Sequence, residues 1–153
     1  MYEHGRTSYC HKNKKSGLRY EICLNIRTGD IVLVNGPYAC GYCNDINIFR
    51  ESLVSFLGLG ERVEADDGYI GDAPQHIKCP MSCTDSVATR IIEGRAKIRQ
   101  EIVNRRRKCW GILKQVFCHD IPKYAEVMYA IATITQISIE NGEKLFQVDY
   151  RDV

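Results

Sequence analysis

The sequence predicts an α/β domain, a mixed sheet with flanking helices, and three features predict it. A hairpin of period-two strands lies early in the chain. Two long stretches of helical spacing lie late, and before them a short strand runs into an Asp-Asp-Gly turn. At 153 residues the chain is about one domain, long enough to bury a real core.

Residues 1–17 form a polar, turn-rich N-terminal segment, with His11–Gly17 reading as a loop; residues 18–153 carry the domain. Leu18–Ile26 alternates, so Tyr20, Ile22, Leu24 and Ile26 share one face of a strand. Arg27-Thr28-Gly29-Asp30 turns the chain back into Ile31–Val34, and the short Gly-containing loop favours a hairpin. Asn35-Gly36-Pro37 is expected to end that second strand. Asn44 or Asp45 can then cap a helix over about Ile46–Leu57, where Phe49, Leu53 and Phe56 or Leu57 recur at helical spacing. Glu61–Asp66 reads as a short strand and Gly68–Ser82 as a long loop. From Thr84 or Asp85 to Lys114 the pattern is helical, with Gly94 as the place for a kink. Its expected apolar stripe is Ile91, Ile98, Ile102, Cys109 and Leu113, flanked by Lys97, Glu101, Arg105 and Lys108. A second helix, about Lys123 to Asn141, carries Val127, Ala130, Ile131, Ile134 and Ile137, and Asn141-Gly142 stops it. Leu145–Tyr150 is expected to be extended.

Composition excludes several classes. No apolar run approaches the ~20 residues that a membrane-crossing helix needs, and no charged-then-apolar leader pattern is present. The protein is therefore expected in the nucleus of a eukaryote or otherwise in the cytoplasm, not secreted and not in a membrane. Its eight cysteines then read as reduced thiols rather than a disulfide framework. A formal net charge of +2 says little, but basic residues concentrate at Arg90–Lys114 and His11–Lys15. There is no Gly-rich phosphate loop and no Ser/His/Asp order.

Two carboxylates carry the sharpest chemistry. Asp66 follows a strand and Glu101 lies in a basic helix, and divalent cations that drive phosphodiester cleavage want oxygen ligands of this kind. Each also has a plainer reading. An Asp before Asp-Gly is a common turn former, although Asp67 is the better candidate for that role. Glu101 has Lys97 and Arg105 four residues to either side, pairs worth only ~0.3–0.5 kcal/mol on a solvated face. Asp45 reads as a helix cap or as a residue shaping a site near Asp66. Arg105-Arg106-Arg107-Lys108 is the densest charge run, either a solvated surface or a set of phosphate contacts. Cys40, Cys43, Cys79 and Cys83 make a CxxC and a CxxxC in turn-rich loops, a pairing that zinc knuckles use. A helix and a strand intervene between them, which weakens that reading. Cys23, Cys109 and Cys118 read as small buried apolar residues, and His76 and His119 as polar loop residues.

Several stretches, in order, resemble the nuclease domain of the DDE transposases of the Harbinger-type superfamily. They are Arg19–Ile22, Gly29–Pro37, Asn44–Arg50, Ala65–Tyr69, Arg99–Glu101 leading to Trp110-Gly111, Ile137–Gly142 and Val148–Tyr150. Together they run from about Tyr9 to Asp152; any one is weak and the ordered set is specific. The resemblance implies a ribonuclease H-like mixed sheet and a DNA endonuclease using Mg²⁺ or Mn²⁺. In that family, cleavage and strand transfer occur at transposon ends. It makes Asp66 and Glu101 catalytic metal ligands and gives Arg105, Arg106, Arg107 and Lys108 to DNA.

The family's first acid lies on an opening strand before the segment matched by Ser8–Arg19, and only Glu3 precedes that segment here. The chain is thus expected to be the C-terminal portion of such a domain, lacking the first strand and catalytically incomplete. Its stability should be marginal, with exposed sheet edges inviting self-association. The competing expectation is a non-enzymatic DNA- or protein-binding module stapled by zinc through Cys40, Cys43, Cys79 and Cys83.

Overall fold

The computed structural model describes residues 8–11, 14–80, 86–115, 117 and 120–145. They are mixed α/β, with three two-stranded sheets and three α-helices among the described residues. They divide into two compact units, the first of residues 8–21 and 35–80, the second of residues 22–34 and those from 86 onward.

Both units draw on one long hairpin. Its strands are β3 (Leu18–Leu24) and β4 (Ile31–Ala39), bonded to each other. A connection this short between paired strands makes them antiparallel, because a parallel crossover needs a dozen residues or more. The turn closes on itself: the Asn25 amide donates to Asp30 O at 2.8 Å and the Gly29 amide to Asn25 O at 2.8 Å. Asn25 Oδ1 accepts from the Arg27 amide at 2.9 Å, an Asx turn. Contrary to the sequence expectation, β4 does not end at Asn35 but continues through Gly36-Pro37 to Ala39. Gly36 sits at φ +139°, and a Cβ there would lie 2.7 Å from the Tyr20 ring and 2.9 Å from Arg19 O. Glycine keeps the strand going by letting its neighbour approach where a side chain would block it.

In the first unit, β1 (Tyr9–Cys10) pairs antiparallel with β2 (Lys15–Ser16), with Cys10 opposite Lys15. Part of the segment expected to be a polar loop is therefore a small ribbon. Helix α1 spans Asp45–Glu51, and its cap is Asn44, whose Oδ1 accepts the Asn47 amide at 3.0 Å. The helix is shorter than its apolar spacing suggested. It gives way at Ser52 to a 3₁₀ turn, Leu53–Phe56, whose tighter period turns Phe56 out to 72 % exposure while Phe49 and Leu53 stay buried.

Strand β5 (Val63–Glu64) pairs parallel with β6 (Ile77–Lys78), in the register Val63 with Ile77. The stretch read as an unbroken loop thus holds a 3₁₀ helix, Asp67–Asp72, and a strand. Two-residue strands are too short to show any periodicity. Ile48, Phe49, Leu53 and Ile77 are buried here together with Cys10, Cys43 and Cys79, and the Tyr69 ring stands edge-on to Phe49 at 6.0 Å.

In the second unit, α2 spans Val87–Lys108, continuous through Gly94, and Ser86 caps it through the Thr89 amide at 3.3 Å. Helix α3 spans Ile121–Glu140, begins with Pro122 in its first turn, and ends at Asn141, after which Gly142 takes φ +123°. Both helices are rotated from the stripes expected of them. Among the described side chains of α2, Arg99, Val103 and Arg107 are buried, whereas Ile91, Ile98 and, just past the helix, Cys109 are exposed. On α3 they are Met128, Ile131, Ala132, Thr135 and Ile139, and Ile134 and Ile137 face out.

Polar anchors to the hairpin accompany these rotations. Arg99, 2 % exposed, donates to Ile26 O at 2.6 Å, and Gln100 to Ile22 O at 3.1 Å. Gln136 Oε1 accepts the Ile31 amide at 2.8 Å while its Nε2 donates to Asp30 Oδ1 at 2.9 Å. Beneath these bonds Val103, Ile139 and Leu145 form a core, with Leu24, Ile31 and Ile102 packed against it. A Cβ on Gly29, at φ +83°, would stand 3.0 Å from Leu145 and 3.3 Å from Arg99, so the turn needs glycine for both conformation and space.

Among the described residues no helix is long and apolar enough to cross a membrane. The extended segment expected beyond Leu145 falls on residues 146–150, and Cys83, Cys118 and His119 likewise lie outside the described residues.

Candidate functional site

Asp66 sits where β5 hands the chain to the Asp67–Asp72 turn. The β5 ladder runs one residue past the strand, with the Ala65 amide donating to Lys78 O at 3.0 Å, so Asp66 follows directly from sheet-bonded backbone. It is exposed, and its Oδ1 accepts the Gly68 amide at 2.9 Å. Asp66 itself, rather than Asp67, is therefore the capping residue of the turn.

Around it the first unit gathers acids. Asp45, the first residue of α1, pairs with Arg19 Nη1 at 3.2 Å, and the same nitrogen donates to Cys43 O at 2.7 Å. Because Asn44 caps the helix, Asp45 is free for this ion pair and also favours the positive end of the helix dipole. Glu21 projects from mid-β3 with only 9 % exposure, and its Oε2 has no hydrogen-bond partner. Burial pushes the Glu21 carboxyl above the ordinary carboxylate range, and the nearby Asp45 charge adds to this. The Asn35 and Ser52 side chains pull it back in part, although Asn35 Nδ2 makes no well-aligned hydrogen bond. Desolvation wins.

The Tyr69 phenol is raised well above its usual value, first by burial and then by the charges of Asp45, Glu21 and Asp66, with Arg19 opposing. Three carboxylates thus share one electrostatic neighbourhood, balanced by one guanidinium. Sequence reasoning singled out Asp45 and Asp66 but missed Glu21. The available signal was an acid in mid-strand, on the face shared with Arg19 and Cys23.

Glu101 belongs to the second unit, on the outer face of α2, exposed as are Arg105 and Lys108. Positions 101, 105 and 108 fall on one helical stripe. The basic run is divided. Arg106 donates to Glu143 O at 2.6 Å and lies 3.7 Å from its carboxylate. Arg107 is 8 % exposed and donates to Asn104 Oδ1 at 2.5 Å, and burial lowers its pKa. Arg105 and Lys108 are the two of the four that face solvent.

The oxygen donors Asp66 and Glu101 have the right chemistry for Mg²⁺ or Mn²⁺. Yet one oxygen of Asp66 is engaged in its turn. Among the described residues no three His, Cys, Asp or Glu side chains are grouped to hold a metal ion. The donor set therefore does not fit a divalent metal centre as it stands. The same holds for Cys40, Cys43 and Cys79 as a zinc set, with Cys83 outside the described residues. Cys43 and Cys79 are buried, and the Cys40 thiol meets that of Cys10 instead.

The chain matches no family model, no curated protein and no solved structure.

Proposed function

We propose that this chain is a DNA-binding domain of the DDE transposase nuclease class, ribonuclease H-like in ancestry. Its own role is to hold the nucleic-acid backbone rather than to cleave unaided. The observation that carries the reading is the exposed α2 stripe of Glu101, Arg105 and Lys108. Basic residues in the last turn of a helix also complement its dipole, which alone would explain them. The reading also draws on the position of the Glu101 carboxylate, although an i,i+4 pair with Arg105 would explain it on a solvated face as well. Glu101 falls where the resemblance puts the third acid, and Asp66 falls just past a strand, where the resemblance puts the second. The resemblance would make Asp66 and Glu101 metal ligands in a complete nuclease of this class, but the described donors of this chain do not fit such a centre.

Fluorescence anisotropy with a labelled duplex tests the reading. Wild type should bind at micromolar concentration in low salt, and Arg105→Gln/Lys108→Gln should bind about tenfold more weakly. Equal binding by both proteins, or none by wild type, overturns it.

A further inference from the structure

In the first unit three backbone segments converge on two thiols. The Gly17 amide donates to Ser8 O at 2.9 Å, and the Cys40 amide donates to Gly17 O at 3.2 Å. These bonds bring the ribbon that carries Cys10 against the residue that follows β4. A Cβ on Gly17 would lie 3.7 Å from Cys40 Sγ, so the sulfur rests directly on that glycine. The Cys10 thiol and the Arg19 guanidinium both act electrostatically on the Cys40 thiol, so the two sulfurs are neighbours. Both cysteines are free thiols. Cys10 is buried at 9 % exposure, and Cys40 is more open.

We propose that Cys10 and Cys40 are a redox pair that closes to a disulfide by exchange with a small disulfide of the glutathione type. Cys40, the more open sulfur and the one beside a guanidinium, attacks first as thiolate. An S–S bond forms between Cys40 and half of the small disulfide, whose own S–S bond breaks, and one small thiolate leaves. Cys10, once deprotonated, then attacks Cys40 Sγ in that mixed disulfide and expels the second small thiolate. Two protein thiols and one small disulfide become one protein disulfide and two small thiols. Two electrons pass to the small disulfide, and the two protons end on the departing thiols.

Burial pushes the Cys40 thiol above its usual value, Arg19 offsetting this only in part, so exchange is slow at neutral pH and accelerates as pH rises. The product cross-links the β1–β2 ribbon to the end of β4. It also changes the sulfur that Arg19 influences, and Arg19 is the partner of Asp45. The switch therefore acts beside the acid cluster without depending on any reading of what that cluster does.

The test takes the full chain, fully reduced, through a series of reduced and oxidised glutathione mixtures. Free thiols are then blocked, and the cross-links are mapped by peptide mass spectrometry, with fragmentation to tell Cys40 from Cys43. The dominant cross-link should join Cys10 to Cys40, and thermal unfolding should shift upward by about 5–10 °C on oxidation. Cys10→Ser should abolish that shift and Cys43→Ser should leave it. The wild-type map decides the matter even if a variant fails to fold. Cys40 recovered joined to Cys43 or to any other cysteine overturns the proposal. So does recovery of Cys10 and Cys40 as separate thiols or mixed disulfides in the most oxidising mixture.

Discussion

The Asp66 carboxylate accepts the amide of Gly68, two residues on, at 2.9 Å, and so closes the turn that the β5 strand runs into. The side chain therefore has a structural task, which substitution isolates. Asn caps nearly as well as Asp, so Asp66→Asn should cost a few tenths of a kcal/mol, while Asp66→Ala should cost about 1 kcal/mol. Urea denaturation of the two variants checks this. Equal losses in the two variants would mean that the bond to the Gly68 amide does not hold the turn.

Glu21 gives a pH dependence with a definite sign. Its folded pKa lies above the ordinary value of 4.5, so the native state holds this proton more tightly than the unfolded chain does. The stability it contributes is present below about pH 4.5 and is lost as pH rises through the folded pKa. Glu21→Gln should therefore stabilise at neutral pH, by about 1–3 kcal/mol for one buried ionised group relieved, and change little at pH 4. Thermal melts at the two pH values check this. Destabilisation at neutral pH would mean that the carboxylate is compensated after all.

Gln136 anchors the hairpin turn to α3 through two bonds, from the Ile31 amide at 2.8 Å and to Asp30 Oδ1 at 2.9 Å. Gln136→Leu keeps the bulk and strands the amide, so urea denaturation should show a loss of about 1–3 kcal/mol. Asp30, held below the ordinary carboxylate range by Thr28 and then Gln136, should titrate higher in that variant. The stability linked to Asp30 is present above its ordinary value of 3.8 and lost as pH falls, so the variant's acid unfolding should be less steep.

Gly36→Ala should be costly for a backbone reason and a steric one at once. The residue sits at φ +139°, and the new methyl would stand 2.7 Å from the Tyr20 ring. A loss of about 2 kcal/mol or more is expected. A near-neutral result in the same denaturation assay would show that β3 and β4 can move apart there.

The hairpin was legible because alternation and a Gly-containing turn are local signals, and the helices because their periodicity extends over many residues. Their buried faces were not. Hydropathy favoured Ile91 and Ile98 for the α2 core, but Arg99 and Gln100 reach backbone carbonyls near the hairpin turn, and isoleucines turn outward. Gln136 likewise sets α3 against the start of β4. Long-range polar anchors of this kind leave no periodic trace. Strands β5 and β6 were unreadable or half-read because two residues carry no period. Of the site, Asp45, Asp66 and Glu101 were legible as acids in the right local contexts. Glu21 was not, because a strand pattern says which side a residue takes but not that both sides are covered.

The salt dependence of duplex binding bears most directly on the claim that the outer face of α2 holds DNA. Each phosphate contact releases counterions and adds about 0.9 to the slope of log affinity against log salt. Between about 50 and 200 mM salt, Arg105→Gln/Lys108→Gln should have a slope shallower than wild type by nearly 2, with affinity lost equally across unrelated duplex sequences. An unchanged slope would contradict the account and return that stripe to an ordinary solvated helix end.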